Sequence, residues 1–439
     1  MNKLVNKNFS KEVKKYFLNT SWMMGEKVFT MGLAMVVSVF VTRYLGPEKY
    51  GILSYAVSLT GLFAIATHMG LSGLAVREFV KYPEDHQELL GTILGVKFVG
   101  AILAIVAYLG FVFWTADDYE LEFWVLILVS GTILINPFEV FDYWFQAKVM
   151  AKYSSLVRGI STIILSIIKL ILVYLSANLL AFASVYLIQA VLIVGLFAFF
   201  FSKKARIPFR NWKFSFKRAK MLMGQGWMIM VGALFAMIYL KIDQVMIRWL
   251  VDVKEVGIYS VAVQLSEAWY FIPGVIVASL FPKLIELKNE GNGQFENRFQ
   301  QLLDLLFLIS FLIAVVLTFI ARPLIEFLYG VEFIETATIL SIHIWAGIFI
   351  FMRAAFSKWI LVEDAIAFSM ITQGAGGVVN ILLNLILIPL YGGVGAAIAT
   401  IISYAMASYL SLLFYKKSRV IFWMMTKAIF SPVRYLIKL

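Results

Sequence analysis

A chain of 439 residues that is 62% hydrophobic and 15% charged, with a mean hydropathy of +0.87, excludes a water-soluble globule, in which charged residues average about 25%. Its apolar stretches are continuous runs, not alternating segments of about ten residues, which excludes a transmembrane β-barrel. No cysteine is present, so disulfides, thiolate metal sites and a cysteine nucleophile are excluded too, and the net charge of +12 follows from where the basic residues lie, not from nucleic-acid binding.

Residues 1–19 form a polar, basic arm. The apolar run after it lacks an A-x-A cleavage site and reads as a retained first helix, not a signal peptide. Apolar runs of roughly 20 residues suffice to cross about 30 Å of hydrocarbon as helix. They recur at approximately 20–42, 51–75, 89–114, 121–146, 154–176, 179–201, 221–245, 257–281, 300–320, 336–360, 364–390 and 393–415. Twelve spans are predicted. Ser176-Ala177-Asn178 joins the fifth to the sixth, and Pro389 to Gly393 joins the eleventh to the twelfth, both as tight turns. The connection SKKARIPFRNWKFSFKRAK, 202–220, carries eight basic residues and no acidic one. It reads as a topogenic loop with affinity for anionic headgroups, the alternative being a specific ligand site. The tail 416–439 mixes basic and aromatic residues, is too charged to span and is predicted to lie at the membrane interface.

Orientation follows from lysine and arginine in the connections. With the N-terminus in the cytoplasm, 28 of the 38 basic residues fall in or at the edge of cytoplasmic segments and 5 in outer connections (Arg43, Lys49, Arg248, Lys254 and Arg322). Both termini are then cytoplasmic. The third connection, with Asp117, Asp118, Glu120 and Glu122, fits the outer face.

The outer connection VTRYLGPEKYGILSYA (41–56) returns as MIRWLVDVKEVGIYSVA (246–262). Arg43 and Leu45 align with Arg248 and Leu250, and Trp22-Met23 align with Trp227-Met228. After one extra residue, Gly51, Ile52, Ser54 and Ala56 align with Gly257, Ile258, Ser260 and Ala262. Two halves of six helices each begin and end on the same side, so the repeat is parallel, a recurrent transporter plan. The predicted organisation is an arm (1–19), an N-lobe (20–201), the basic inter-lobe loop (202–220), a C-lobe (221–415) and the interfacial tail (416–439). Arg43 and Arg248 would stand at equivalent places on the outer rim.

Three stretches carry a family resemblance: RYLGPEKYGILSYAVSLTGLFAIATHMGLSGLAVREF, then KIDQVMIRWL with VGIYSVAVQLSEAWYFIPGVIVASLFPKL, and NLILIPLYGGVGAAIATIISYA. The chain resembles the Wzx-type flippases of O-antigen and oligosaccharide repeat units, within the multidrug/oligosaccharidyl-lipid/polysaccharide exporter superfamily. That resemblance, from residue 20 to about 415, implies an all-α integral membrane protein of two six-helix bundles around a central cavity, working by alternating access. It also implies transport of undecaprenyl-pyrophosphate-linked oligosaccharide from the inner to the outer leaflet of the bacterial cytoplasmic membrane. Membrane lipids and polysaccharide polymerase machinery would be its partners.

A pyrophosphate-linked sugar cannot cross hydrocarbon unaided, because buried uncompensated charge is very costly. Charged residues inside spans should therefore face a polar shaft. Five are basic: Lys27, Lys97, Lys169, Lys241 and Arg353. Arg353 is the foremost phosphate candidate, since a guanidinium contacts phosphate bidentately; Lys27 and Lys241 could instead snorkel to the interfaces. Acidic residues inside spans are Glu26, Glu139, Asp142, Asp243, Glu267 and Asp304. Glu267, Glu139, Asp142 and Asp243 are candidates for coupling transport to H+ or Na+, against the alternative of structural ion pairs. Asn136, Glu139, Asp142 or Tyr143, and Gln146 recur at three to four residues and form one polar stripe beginning beside Pro137. His68 and His343 are read as hydrogen-bonded packing residues that could titrate. Asn380 and Asn384, following Gly374, Gly376 and Gly377, read as polar glue at a close helix contact.

The chain has no P-loop, no G-x-S-x-G and no His/Glu metal spacing, and GAGGVVN (374–380) lacks the lysine and serine of a nucleotide loop. Neither catalysis nor a bound cofactor is expected. Energy would come from an ion gradient, the membrane potential or consumption of the product. An ion-coupled multidrug extruder of the same superfamily remains an alternative, as does a membrane-embedded glycosyltransferase or polymerase, which the short outer connections disfavour.

Overall fold

The computed structural model describes residues 2–115, 121–290, 294–362 and 365–436, with side chains from Trp22 onward apart from 282, 288–290, 361–362, 366, 433 and 435–436. Asp117, Asp118 and Glu120 of the third connection lie outside the described residues. Among the described residues every regular element is helical, and ten continuous helices are long and apolar enough to cross a membrane. Two of the ten are too long for one crossing, with 60 residues in Trp22–Lys81 and 48 in Ala367–Phe414, against the roughly 20 that a span needs. Each is broken at a glycine. Gly46 has φ 71° and ψ 172°, and Gly392 has φ 57° and ψ −136°. A Cβ at either φ would be strained, so glycine is what lets the chain turn there. The second break makes a hairpin. Beyond it Gly395 lies against Leu387, Gly376 against Ser403 and Ala407, and Asn380 donates to Ser403 Oγ at 3.4 Å.

Counting each broken helix twice gives twelve: α1 (2–45), α2 (47–81, interrupted at Met69-Gly70), α3 (His86–Thr115), α4 (Leu121–Ala147), α5 (Ala151–Tyr174), α6 (Leu179–Ala205), α7 (Phe216–Leu250), α8 (Val253–Phe281), α9 (Gln294–Tyr329), α10 (Thr336–Ile360), α11 (366–391) and α12 (393–408). The all-α membrane fold of about twelve helices expected from the apolar runs is the fold observed. Two short helices, α13 (Arg419–Ile429) and α14 (Ser431–Leu436), follow.

The chain forms two compact units, Met1–Tyr44 with Thr60–Met230, and Leu45–Leu59 with Val231–Leu439. The basic loop 202–220 lies wholly within the first. Lys213 N donates to Gln87 O (3.1 Å) and Ser215 N to Thr92 Oγ1 (3.0 Å), while Arg218 pairs with Asp85 (2.6 Å) and Glu88 (2.9 Å). Gly91 leaves room for the Lys213 backbone, and Gly95 for the Phe214 ring. The loop is thus strapped to the start of α3, and the division between units falls inside α7. An aromatic core of Phe79, Phe141, Trp144, Phe145 and Phe201 holds this unit together.

In the second unit the tail packs on α9 and α10 through buried Ile421, Met424, Met425 and Ala428. Arg434 Nη2 reaches Asp304 at 2.6 Å, and Gln300 donates to Met424 O at 2.9 Å. The repeated stretches also meet in this unit. A Cβ on Gly51 would collide with the carbonyl of Val253, and one on Gly257 with the carbonyl of Pro47. Pro47 and Val253 are related by the same shift as Gly51 and Gly257, so α2 and α8 cross in a reciprocal, backbone-to-backbone contact.

Candidate functional site

The polar stripe of α4 is bent into place by proline. Pro137 cannot donate to the helix ladder, and Asn136–Glu139 tighten into a 3₁₀ turn before the helix resumes at Val140. Glu139 and Asp142 leave this turn towards different partners. Glu139 Oε2 receives Lys97 Nζ at 2.8 Å and the Tyr143 hydroxyl at 3.0 Å, with His68 Nδ1 at 3.3 Å. Lys97 also donates to the Tyr143 hydroxyl at 3.1 Å and is fully buried, while 41% of the Glu139 side chain stays exposed. Asp142 accepts from Ser154 Oγ (2.5 Å), Arg158 Nη2 (2.6 Å) and Gln146 Nε2 (3.1 Å).

Glu139, Asp142 and Arg158 edge a cavity of about 510 Å³ within the first unit, walled by α1, α4, α5 and α6. Its hydrogen-bonding lining includes Asn136, Gln189, Thr30, Thr162 and Tyr186 beside Glu26, Glu139, Asp142 and Arg158. Lys97 offsets the charge of Glu139 and Arg158 that of Asp142, which leaves Glu26 as a third carboxylate, so the lining is rich in donors and acceptors with about one acidic charge in excess. Arg158 escaped the sequence reading. It lies early in α5 and counted there with the basic residues of the fourth connection; the signal for it was the unmatched Asp142 on the facing stripe.

The second unit contains a different cluster. Asp243 on α7 is 3% exposed. Its Oδ2 accepts from the Tyr259 hydroxyl and Thr400 Oγ1, each at 2.6 Å, and its Oδ1 from Asn384 Nδ2 at 2.6 Å. Asn384 Nδ2 also reaches Asn380 Oδ1 at 3.2 Å. No basic side chain pairs with Asp243 among the described residues, and the buried Asn384 Oδ1 has no hydrogen-bond partner. A buried carboxylate without a countercharge costs several kcal/mol. A proton or a monovalent cation would relieve that cost, and the surrounding carboxylate, amide and hydroxyl oxygens suit either. Thr400 Oγ1 lies 2.9 Å from Ala396 O as well. Its single proton serves one acceptor at a time, so it can donate to an ionised Asp243 or turn to Ala396 and accept from a protonated one.

The remaining predicted residues are dispersed. Lys241 faces Glu267 at 3.6 Å, an ion pair within the second unit. Arg353, expected to line a phosphate path, is 9% exposed and donates through Nη1 to Ala407 O at 2.7 Å, so its charge is turned into the packing of α10 on α12. Lys169 stands 5.2 Å from the Tyr186 ring and is half-buried, and Lys27 is exposed. Arg43 is exposed three residues before the Gly46 break, and Arg248 is half-buried near the end of α7. His343 bonds to Ser266 Oγ at 2.9 Å.

Residues 17–288 match the family described as polysaccharide biosynthesis protein. The chain is 22% identical over 407 residues to the probable flippase AglR of Haloferax volcanii, covering 88% of this chain and 81% of that one. It is 23% identical over 283 residues to a putative O-antigen transporter of Shigella flexneri, covering 62% and 66%. Among solved structures, the lipid II flippase MurJ in an inward closed conformation superposes with a TM-score of 0.70 at 16% identity, covering 96% of this chain and 93% of that one, a likeness of fold. A multi-pass helical membrane protein with intramembrane polar clusters, matched to this family over most of its length, belongs to the polysaccharide biosynthesis protein family.

Proposed function

We propose that this protein flips polyprenyl-pyrophosphate-linked oligosaccharide, undecaprenyl-linked in a bacterial host, from the inner to the outer leaflet by alternating access, for surface polysaccharide assembly. The observation that carries this reading is the hydrogen-bonding cavity of about 510 Å³ among membrane-spanning helices, two of whose three carboxylates are paired with cations. Sugar hydroxyls need many donors and acceptors at once, and pockets of about 300–1,000 Å³ are the size in which ligands are held. Family membership and the flippase and transporter names of the relatives support the same reading. Asp243 is the coupling group in this scheme, taking up H+ or Na+, and Lys241–Glu267 is a structural pair. The positive-inside balance supports cytoplasmic termini in this scheme.

A cationic drug is the second reading, and the three carboxylates at the cavity favour it; the pairing of two of them with Lys97 and Arg158 weakens it. One deletion separates the two. In a strain without a second flippase, deletion is expected to abolish surface polysaccharide and to leave lipid-linked repeat units in the inner leaflet. Normal polymer together with heightened sensitivity to cationic dyes would overturn the flippase reading in favour of extrusion.

A further inference from the structure

The seam between α1 and α5 carries two voids that share one residue. On α1, Trp22, Gly25 and Phe29 line an apolar groove of about 440 Å³, while Thr30 lines the polar cavity. On α5, Ser155, Gly159 and Ile163 line the groove, and Arg158, Ser161 and Thr162 the cavity. Glu26 lies on both walls. Each helix therefore presents an apolar face to one void and a polar face to the next, as helical spacing of three and four residues allows. The groove is hollowed by glycine, not closed by it. A Cβ at Gly25 or Gly159 would meet no atom within 4 Å. Close packing therefore does not require glycine at either place, although glycine costs a helix about 1 kcal/mol relative to alanine.

We propose that this seam is one binding site for one amphiphile: a polyprenyl tail lies in the groove over Gly25 and Gly159, and the first sugars occupy the cavity beyond Glu26. This rests on the flippase reading above and adds where the carrier lipid is held. The tail's chemistry matches the groove wall of Trp22, Phe29, Leu156, Ile160 and Ile163. The phosphate link falls at the junction, where the Glu26 carboxylate repels it and Arg158, with its Nη2 on Asp142 and 52% of its side chain exposed, is the cation it depends on. Lys152, whose ammonium stands 5.7 Å from the Trp22 ring, adds a second cation beside the groove. The cargo thus enters sideways from the bilayer between α1 and α5, with its tail never leaving an apolar surface.

The test uses the full-length protein in phospholipid vesicles with a polyprenyl diphosphate bearing a diazirine in its tail. Mass spectrometry is expected to map the label to 22–29 and 155–163. Gly159→Leu should lower that labelling about tenfold, the worth of displacing one or two buried methylenes. Gly195→Leu, at an open glycine on α6, should label like the parent. Equal labelling of these peptides by a diazirine phosphatidylglycerol, or a map centred on other apolar faces such as Leu103 and Val106, overturns the proposal, and the parent map decides this even if Gly159→Leu does not fold. Complementation of a flippase-deficient strain separates the two claims. A parent chain that never restores polymer sinks the flippase reading, whereas a parent and a Gly159→Leu that both restore it fully sink the seam alone.

Discussion

At the scale of residues, the buried cations follow one rule: each finds an anion, a carbonyl or a ring. Lys97 has no exposure at all and depends on Glu139 and Tyr143. Removing one partner of such a pair leaves a buried charge unmatched and costs about 3–5 kcal/mol, whereas removing both with apolar or neutral replacements is close to neutral. Glu139→Gln is therefore expected to lower the thermal midpoint in detergent sharply, and Lys97→Met combined with Glu139→Gln to recover most of the loss. A double variant as unstable as the sum of the two singles would show that they are not coupled. The stripe containing Glu139 was legible in the sequence because spacing of three to four residues fixes a helix face whatever the tertiary fold. Its partners were not. Which of five intramembrane cations meets which acid depends on how each helix is rotated against its neighbours, and periodicity carries no information about that. Arg353 makes the point from the other side, since a backbone carbonyl left by α12 satisfies it and no sequence pattern marks that acceptor.

At the scale of elements, glycine decides where helices break and where they touch. The breaks at Gly46 and Gly392 fall where the apolar runs predicted connections, beside Pro47 and Pro389. The touching positions were visible only as a repeat. Gly51 and Gly257 aligned between the halves, but alignment does not say that the two copies lie against each other. The structure supplies the reason for glycine at both: the opposing atoms are backbone carbonyls, which no rotamer change can move aside. Gly51→Ala or Gly257→Ala should therefore part α2 from α8. The chain has no cysteine, so Ser260→Cys, at a buried position on α8, introduces a sole thiol whose reaction with maleimide reports the separation. That thiol should react slowly on its own and several-fold faster when combined with Gly257→Ala, as local opening exposes it. Unchanged rates would mean that the crossing tolerates a methyl group and is not a tight contact.

At the scale of the whole molecule, the two polar clusters lie in different compact units and differ in kind. The cluster in the first unit is open, sizeable and lined with hydrogen-bond donors and acceptors, suited to a ligand. The cluster around Asp243 is closed, small and one positive charge short, suited to an ion. Proteins that move cargo against a gradient need the two events linked, and the linkage is a coupling free energy that acts on both sites alike. Asp243→Asn preserves size and removes the charge that an ion would neutralise. It is expected to make binding of a polyprenyl diphosphate probe independent of proton and sodium concentration, whereas the parent's affinity shifts with the coupling ion. Gradient-driven transport in vesicles should fall to the rate seen without any gradient. Imposing a sodium gradient and a proton gradient separately on the parent names the ion, and Thr400→Val should weaken the response to that same gradient by removing the hydroxyl that turns between Asp243 and Ala396. If Asp243→Asn responds to the gradient as the parent does, the carboxylate is a structural hydrogen-bond acceptor, and the coupling ion acts at another acidic group, with Glu139 and Asp142 in the first unit next in line.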